Sequence, residues 1–137
     1  MRKTTIVHVG REHINQSGYV GYLDLLILLD TGQDSFLKNT VGIDFDKIES
    51  RWGLLLTVKT VHIDFSAKGT GYLHEGDELS INTGIESVDD RSFAFVQTTA
   101  KDKDLICTST LMVELCDQEG KPARIPSELR QLLMPSA

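Results

Sequence analysis

Between Glu12 and Tyr19 the chain gathers a carboxylate, an imidazole, an amide and a phenol in the run Glu-His-Ile-Asn-Gln-Ser-Gly-Tyr. Glu12 is of the type that attacks an acyl carbon or activates a water to do so. The same residue in a turn also serves as a plain solvated charge. His13 has an unperturbed pKa suited to proton transfer near neutrality, and can orient the carboxylate or bind a ligand. A histidine packed at the mouth of a helix and bonded to backbone is the competing reading. Asn15 can hold a water or a carbonyl oxygen, and can equally cap the helix that follows. Gly18 either lets a ligand approach the backbone closely or marks a tight crossing of helix and strand. Tyr19 and Tyr22 stand at helical spacing, which places them in the core with a hydroxyl at its edge. His74-Glu75 is a second acid–base pair in sequence, in a stretch that reads as a surface loop. His8, His13, His62 and His74 lack the spacing of zinc ligands, so no metal is expected. There is no Gly-rich phosphate loop and no Gly-x-Ser-x-Gly elbow, and no cofactor is expected.

The element that must position these groups is the helix that follows them. Tyr19, Tyr22, Leu23, Leu26 and Leu29 or Asp30 recur at helical spacing. Leu25, Ile27 and Leu28 make the helix apolar on almost every side, with Asp24 the main interruption. Such a helix belongs in the middle of a fold, so Leu26 and Leu29 are expected to be fully buried. At about ten apolar residues it is too short to cross a bilayer, which needs about twenty. Ser17 or Asn15 would cap it, and Gly32 or the region of Asn39 would end it. Its unpaired N-terminal N–H groups favour negative charge developing on a bound ligand.

Around this helix the pattern predicts strands. Thr4–Val9 is the first, and Val41–Arg51 shows no usable period. Leu54–Phe65 changes phase at Lys59-Thr60, as a β-bulge does, and bends the sheet. After a loop from Ser66 to Glu75, alternation at Leu79–Ile85, Phe93–Gln97 and Leu105–Leu115 predicts an antiparallel meander. Pro126 opens a short helix carrying Leu129, Leu132 and Leu133. The expected class is α+β, a curved antiparallel sheet wrapped around a central helix, in one domain spanning 1–137.

Charge and composition narrow the partners. A net charge of −6 argues against nucleic acid as a general partner. It leaves room for a phosphorylated small molecule held by Lys68, Arg91, Lys101 or Lys103. The first residues contain no apolar stretch of the secretory type. Cys107 and Cys116 lie in one expected strand, about 30 Å apart, and cannot pair within it. Free thiols make the cytoplasm the expected compartment. The apolar helix and the long strand after Gly53 together predict a homodimer whose sheets join edge to edge.

Beyond these patterns the sequence resembles a known family. His13-Ile14-Asn15, with Tyr19, Tyr22 and Asp24 following, is similar to the start of the 4-hydroxybenzoyl-CoA-type hot-dog thioesterases. Tyr72 to Leu79, with its Gly76-Asp77-Glu78-Leu79, resembles the family's Tyr-Gly-Asp-Glu-Leu stretch. Arg91-Ser92-Phe93 and the tail from Asp117 to Leu133 extend the likeness over nearly the whole chain. The resemblance implies a hot-dog fold that hydrolyses acyl thioesters of CoA or acyl carrier protein, as a homodimer or homotetramer. It implies a catalytic carboxylate four residues before the His, where this chain has Val9. Glu12 is the nearest carboxylate, which makes Glu12 and His13 the expected catalytic pair and Asn15, Gly18 and Tyr19 the expected substrate contacts. Without the family acid, the competing reading is a non-catalytic protein that binds an acyl thioester or a protein partner. A hydratase acting on acyl-CoA is a third.

Overall fold

The computed structural model describes residues 1–67 and 69–134. Five strands form one sheet: β1 (Arg2–His8), β2 (Leu55–Phe65), β3 (Glu78–Glu86), β4 (Ser92–Lys101) and β5 (Asp104–Cys116). Their spatial order is β1-β3-β4-β5-β2, and every pairing is antiparallel. The meander β3-β4-β5 forms as its alternation requires, and β1 and β2 are the two edges. The β2–β5 register shifts between Val58 and Thr60, where the phase change in the sequence places it. A second shift falls between Thr99 and Ala100 in the β4–β5 pairing.

Helix α1 (Tyr22–Phe36) lies against this sheet; its start departs from expectation, while its end falls in the region of Asn39, the second of the two expected places. It begins at Tyr22, so neither Asn15 nor Ser17 caps it; the cap position is Gly21, with no side-chain bond. Gly32 does not end the helix but lies buried within it. The backbone continues through a π-helical turn, Leu37–Val41, and stops at Gly42, whose φ of +93° favours glycine. Gly32 serves contact instead: a Cβ there would stand 3.0 Å from Gln97 Nε2 and 3.0 Å from Ile81 Cγ2. The helix therefore crosses β3 and β4 as closely as its backbone allows.

The sheet covers one side of α1, not all of it. Leu25, Leu28, Leu29, Gly32, Gln33 and Phe36 are buried. Leu26 is only half-buried, and Tyr22 is 62% exposed, Leu23 64% and Ile27 54%. The expected full burial of Leu26 and the core position of Tyr22 are both corrected by this one-sided packing. Two apolar clusters result. The N-terminal half of α1 packs with Val7, Leu79, Ile81 and Ile106. Its C-terminal end packs with Phe93, Phe95, Ile48, Leu115 and Leu129.

Residues 41–51, which show no period, contain a second helix, α2 (Phe45–Trp52). Asp44 caps it, its Oδ1 accepting from the Lys47 N–H at 2.9 Å, and Gly53 closes it at φ +67°. Ile48 is its one fully buried residue, which leaves little periodic signal. Helix α3 (Ser127–Leu133) follows Pro126 and buries Leu129 and Leu133. Cys107 and Cys116 are free thiols, both buried.

Leu29→Ala removes a fully packed side chain and is expected to cost about 2–5 kcal/mol, with Leu26→Ala costing less. Gly32→Val is expected to cost about 1–3 kcal/mol by overpacking against Gln97 and Ile81. Urea midpoints measure all three; equal midpoints for Leu29→Ala and Leu26→Ala would contradict the one-sided packing.

Candidate active site

The expected site residues all fall in the connection from β1 to α1, and three backbone bonds hold that connection. The Val9 N–H donates to Asp77 O at 2.8 Å, and the Gly76 N–H donates to Val9 O at 2.9 Å. The Val20 N–H donates to Leu73 O at 3.2 Å. The stretch from Leu73 to Asp77 therefore forms the wall behind the connection. His74 and Glu75 in it remain exposed, as a surface loop predicts.

Arg11–His13 forms a single 3-10 turn. The Gly10 N–H donates to His13 Nδ1 at 2.9 Å, which requires a lone pair on that nitrogen. The Glu12 carboxylate folds back over Gly10 and lies 3.7 Å from the same nitrogen. With Gly10 as its donor, Nδ1 has no proton for Glu12, so His13 does not orient Glu12 through it. The Glu12 side chain is 73% exposed, whereas His13 is largely buried.

Asn15 shapes the turn that follows. Its Oδ1 accepts from the Ser17 N–H at 2.9 Å and the Tyr19 N–H at 3.4 Å. Its backbone N–H donates to Tyr19 O at 2.9 Å, closing a small loop with Gly18 at its tip. Gly18 has φ +88°, a conformation that favours glycine, and no atom stands within 4 Å of where its Cβ would be. The turn explains this glycine, and a tight strand crossing does not. Tyr19 lies half-buried before the helix, not within it.

Two further positions decide what the site can do. Val9, four residues before His13, is buried in the core at 2% exposure. No carboxylate occupies the place where the family resemblance implies one. Asp24 lies in the first turn of α1, where negative charge complements the helix dipole. A Cβ at Gly21 would meet Asp24 Oδ2 at 3.5 Å and Asn15 Nδ2 at 3.8 Å. The carboxylate standing at the helix N-terminus is thus Asp24, with the Asn15 amide nearby. Its signal in the sequence is that it is the main interruption of the apolar run.

The cations considered for a phosphate divide. Lys101 pairs with Asp77 at 2.9 Å, donates to Tyr72 O at 3.2 Å and sits 4.2 Å from the Tyr72 ring centroid. Arg91 and Lys103 are exposed, and Lys68 lies outside the described residues. Among the described residues no group of three or more His, Cys, Asp or Glu side chains is placed to hold a metal ion. No helix among them is long and apolar enough to cross a membrane.

The chain matches the thioesterase-like superfamily over residues 11–133, and it belongs to that family. The fold is similar to a 1,4-dihydroxy-2-naphthoyl-CoA thioesterase from Synechocystis, at 18% identity and TM-score 0.85 over 98% of this chain and 97% of that one. It is similar to a probable thioesterase from Bartonella henselae, at 24% identity and TM-score 0.81 over 92% and 100%. It is also similar to a 4-hydroxybenzoyl-CoA thioesterase variant solved with 4-hydroxybenzoyl-CoA, at 15% identity and TM-score 0.81 over 96% and 98%. The five-stranded curved sheet with its long helix is the hot-dog fold of these structures. No curated protein sequence matches the chain.

The wall behind the site carries a pH-dependent tie. Burial alone would raise the Asp77 carboxyl, but the His74 N–H and the Lys101 ammonium outweigh it and hold it below its ordinary value. A carboxyl depressed in the folded state stabilises the fold above its unfolded pKa of about 3.9 and loses that contribution as pH falls through the folded value. Asp77→Asn is therefore expected to destabilise the protein at pH 6 and to converge on wild type as the pH falls through the depressed folded value. Unfolding curves across that range check it; a gap that persists undiminished in acid would contradict it.

Proposed function

We propose that the protein hydrolyses an acyl thioester at the N-terminus of α1. The observation that carries this is an uncapped helix start: Gly21 supplies no side-chain bond, so the first N–H groups of α1 lie open to a carbonyl oxygen. Donors fixed at a developing oxyanion contribute on the order of 10²–10³ in rate. The substrate is an acyl thioester of CoA or of acyl carrier protein, the CoA form being favoured by the names of the similar structures. Glu12 is the carboxylate that attacks or activates water, because its side chain reaches solvent in the connection that leads to the helix. His13, held by Gly10, fixes the turn that presents Glu12, while Asn15, Gly18 and Tyr19 shape the substrate's side of the mouth.

Buried Val9 at the place of the family acid favours a second reading, a protein that binds acyl thioesters without cleaving them. A panel of acyl-CoA and acyl carrier protein substrates, followed with a thiol reagent, separates the two. We expect Glu12→Gln to lower kcat at least about 100-fold, as for loss of a general base. His13→Ala is expected to act less, mainly through KM. Loss of activity in Asp24→Asn with full activity in Glu12→Gln would transfer the role to Asp24. No turnover of any substrate by the wild type would leave the binding reading.

The exposed apolar surface supports a homodimer, the unit from which a tetramer would be built. Tyr22, Leu23 and Ile27 on α1 and Val58, Val61 and Phe65 on edge strand β2 are all exposed. A second copy pairing along β2 removes an open edge and covers apolar surface that a monomer would leave in water. Sedimentation equilibrium is expected to give twice 15.2 kDa or more; a monomer at tens of micromolar would contradict it. Two unpaired thiols suit a reducing compartment, the cytoplasm.

A further inference from the structure

The hairpin that joins β4 to β5 ends on two charged residues that reach one aromatic side chain. Thr99 pairs with Cys107, but Ala100 pairs with Leu105 and Lys101 with Asp104, because the register shifts between Thr99 and Ala100. In the unshifted register Lys101 would stand opposite Leu105, which is exposed. A bulge re-aims the side chains beyond it, and this one sets an ammonium opposite a carboxylate. Asp104 accepts from the Tyr72 hydroxyl at 3.0 Å, and Lys101 lies 4.2 Å from the Tyr72 ring centroid.

Lys101 does more than cover that ring. Its side chain is 17% exposed, and its ammonium donates to Tyr72 O at 3.2 Å and pairs with the Asp77 carboxylate at 2.9 Å. A lysine this far from water needs such partners, and the bond to Asp77 holds its ammonium above its ordinary pKa. Its charge is therefore spent within the protein and not on a phosphate.

The two bonds fall at the two ends of the strap formed by residues 72–77. At one end, the next carbonyl after Tyr72 O is Leu73 O, which accepts the Val20 N–H at 3.2 Å. Val20 is fully buried and stands directly before Gly21, the cap position of α1. At the other end, Asp77 O accepts the Val9 N–H, and the Gly76 N–H returns to Val9 O. Both ends of the connection that carries the candidate site thus hang on backbone that Lys101 holds to the sheet.

We propose that Lys101 is a positioning residue of the site: by gripping residues 72–77 at both ends, it fixes where the open start of α1 stands relative to the β1 connection. It touches no reacting atom. Donors displaced by about 1 Å can cost on the order of 10²-fold in rate, so a grip behind the site reaches the chemistry. What the start of α1 does to a substrate rests on the thioester reading; the grip itself is read without one.

Amide hydrogen exchange followed by NMR compares the wild type with Lys101→Met, Lys101→Arg and Asp77→Asn. In Lys101→Met the Val20, Val9 and Gly76 amides are expected to exchange at least about tenfold faster, with amides in the middle of β4 and β5 within about twofold. Lys101→Arg keeps the charge and several donors, and is expected to restore protection to within about twofold. Asp77→Asn leaves the bond from Lys101 to Tyr72 O, so Val9 and Gly76 are expected to loosen more than Val20. It also tests the grip should Lys101→Met fail to fold. With a cleavable acyl-CoA, Lys101→Met is expected to lower kcat about tenfold with KM within about twofold, and Lys101→Arg to recover most of the loss. Protection unchanged at Val20 in Lys101→Met, lost evenly throughout the protein, or not regained by Lys101→Arg overturns the proposal. So does an Asp77→Asn variant in which Val20 loosens most, or a raised KM at constant kcat, which would make Lys101 a substrate contact. A wild type that cleaves no thioester refutes the proposed hydrolysis, and the exchange rates then decide the grip alone.

Discussion

The structure depends on the contact between α1 and the sheet at Gly32 and Gln97. Without a Cβ at Gly32 the helix backbone settles onto Ile81 and the Gln97 amide. Gln97 then reaches the carbonyl of Leu29 and the hydroxyl of Thr83 and receives the amide of Gln33. A buried amide costs free energy unless it is paired, so one position of the helix along the sheet is strongly preferred. That position decides which face of α1 is buried. It places Leu25, Leu28, Leu29 and Phe36 in the core and turns Tyr22, Leu23 and Ile27 outward.

The candidate site follows from this placement. Fixing the helix fixes its open start at Gly21, and the β1 connection must then reach it from Val9. The bonds from Val9 to Asp77 and Gly76 and from Val20 to Leu73 hold the two ends of that connection. Between them the chain has room for only short turns, built by Gly10 with His13 and by Asn15 with Gly18. On the flank of α1 toward β2, the same placement leaves a cleft that the sheet's own side chains do not fill.

Strand order and the bulge were legible because alternation and its break at Lys59-Thr60 are local signals. The second helix was missed although Asp44, Phe45, Ile48, Trp52 and Gly53 carry its cap, stripe and stop. With one fully buried residue, its stripe is too weak to give a period. Helix α1 was legible as apolar, but not which side faces the sheet, because apolar residues on every side give no phase. Its start is not legible because Tyr19 and Tyr22 share helical spacing, although Tyr19 belongs to the Asn15 turn and only Tyr22 to the helix. The residues of the connection were found as a group, since a polar run before an apolar helix is visible in sequence. Gln33 and Gln97 were not found as a pair, since they meet only when α1 and β4 pack.

The proposed hydrolysis requires α1 to present its open N-terminus to a thioester carbonyl. A crystal structure with a non-hydrolysable acyl-CoA ketone tests it most directly. The ketone oxygen is expected about 2.7–3.1 Å from a backbone N–H at the start of α1, between Tyr22 and Asp24. A ketone oxygen bound elsewhere, with those N–H groups left to water, would contradict it.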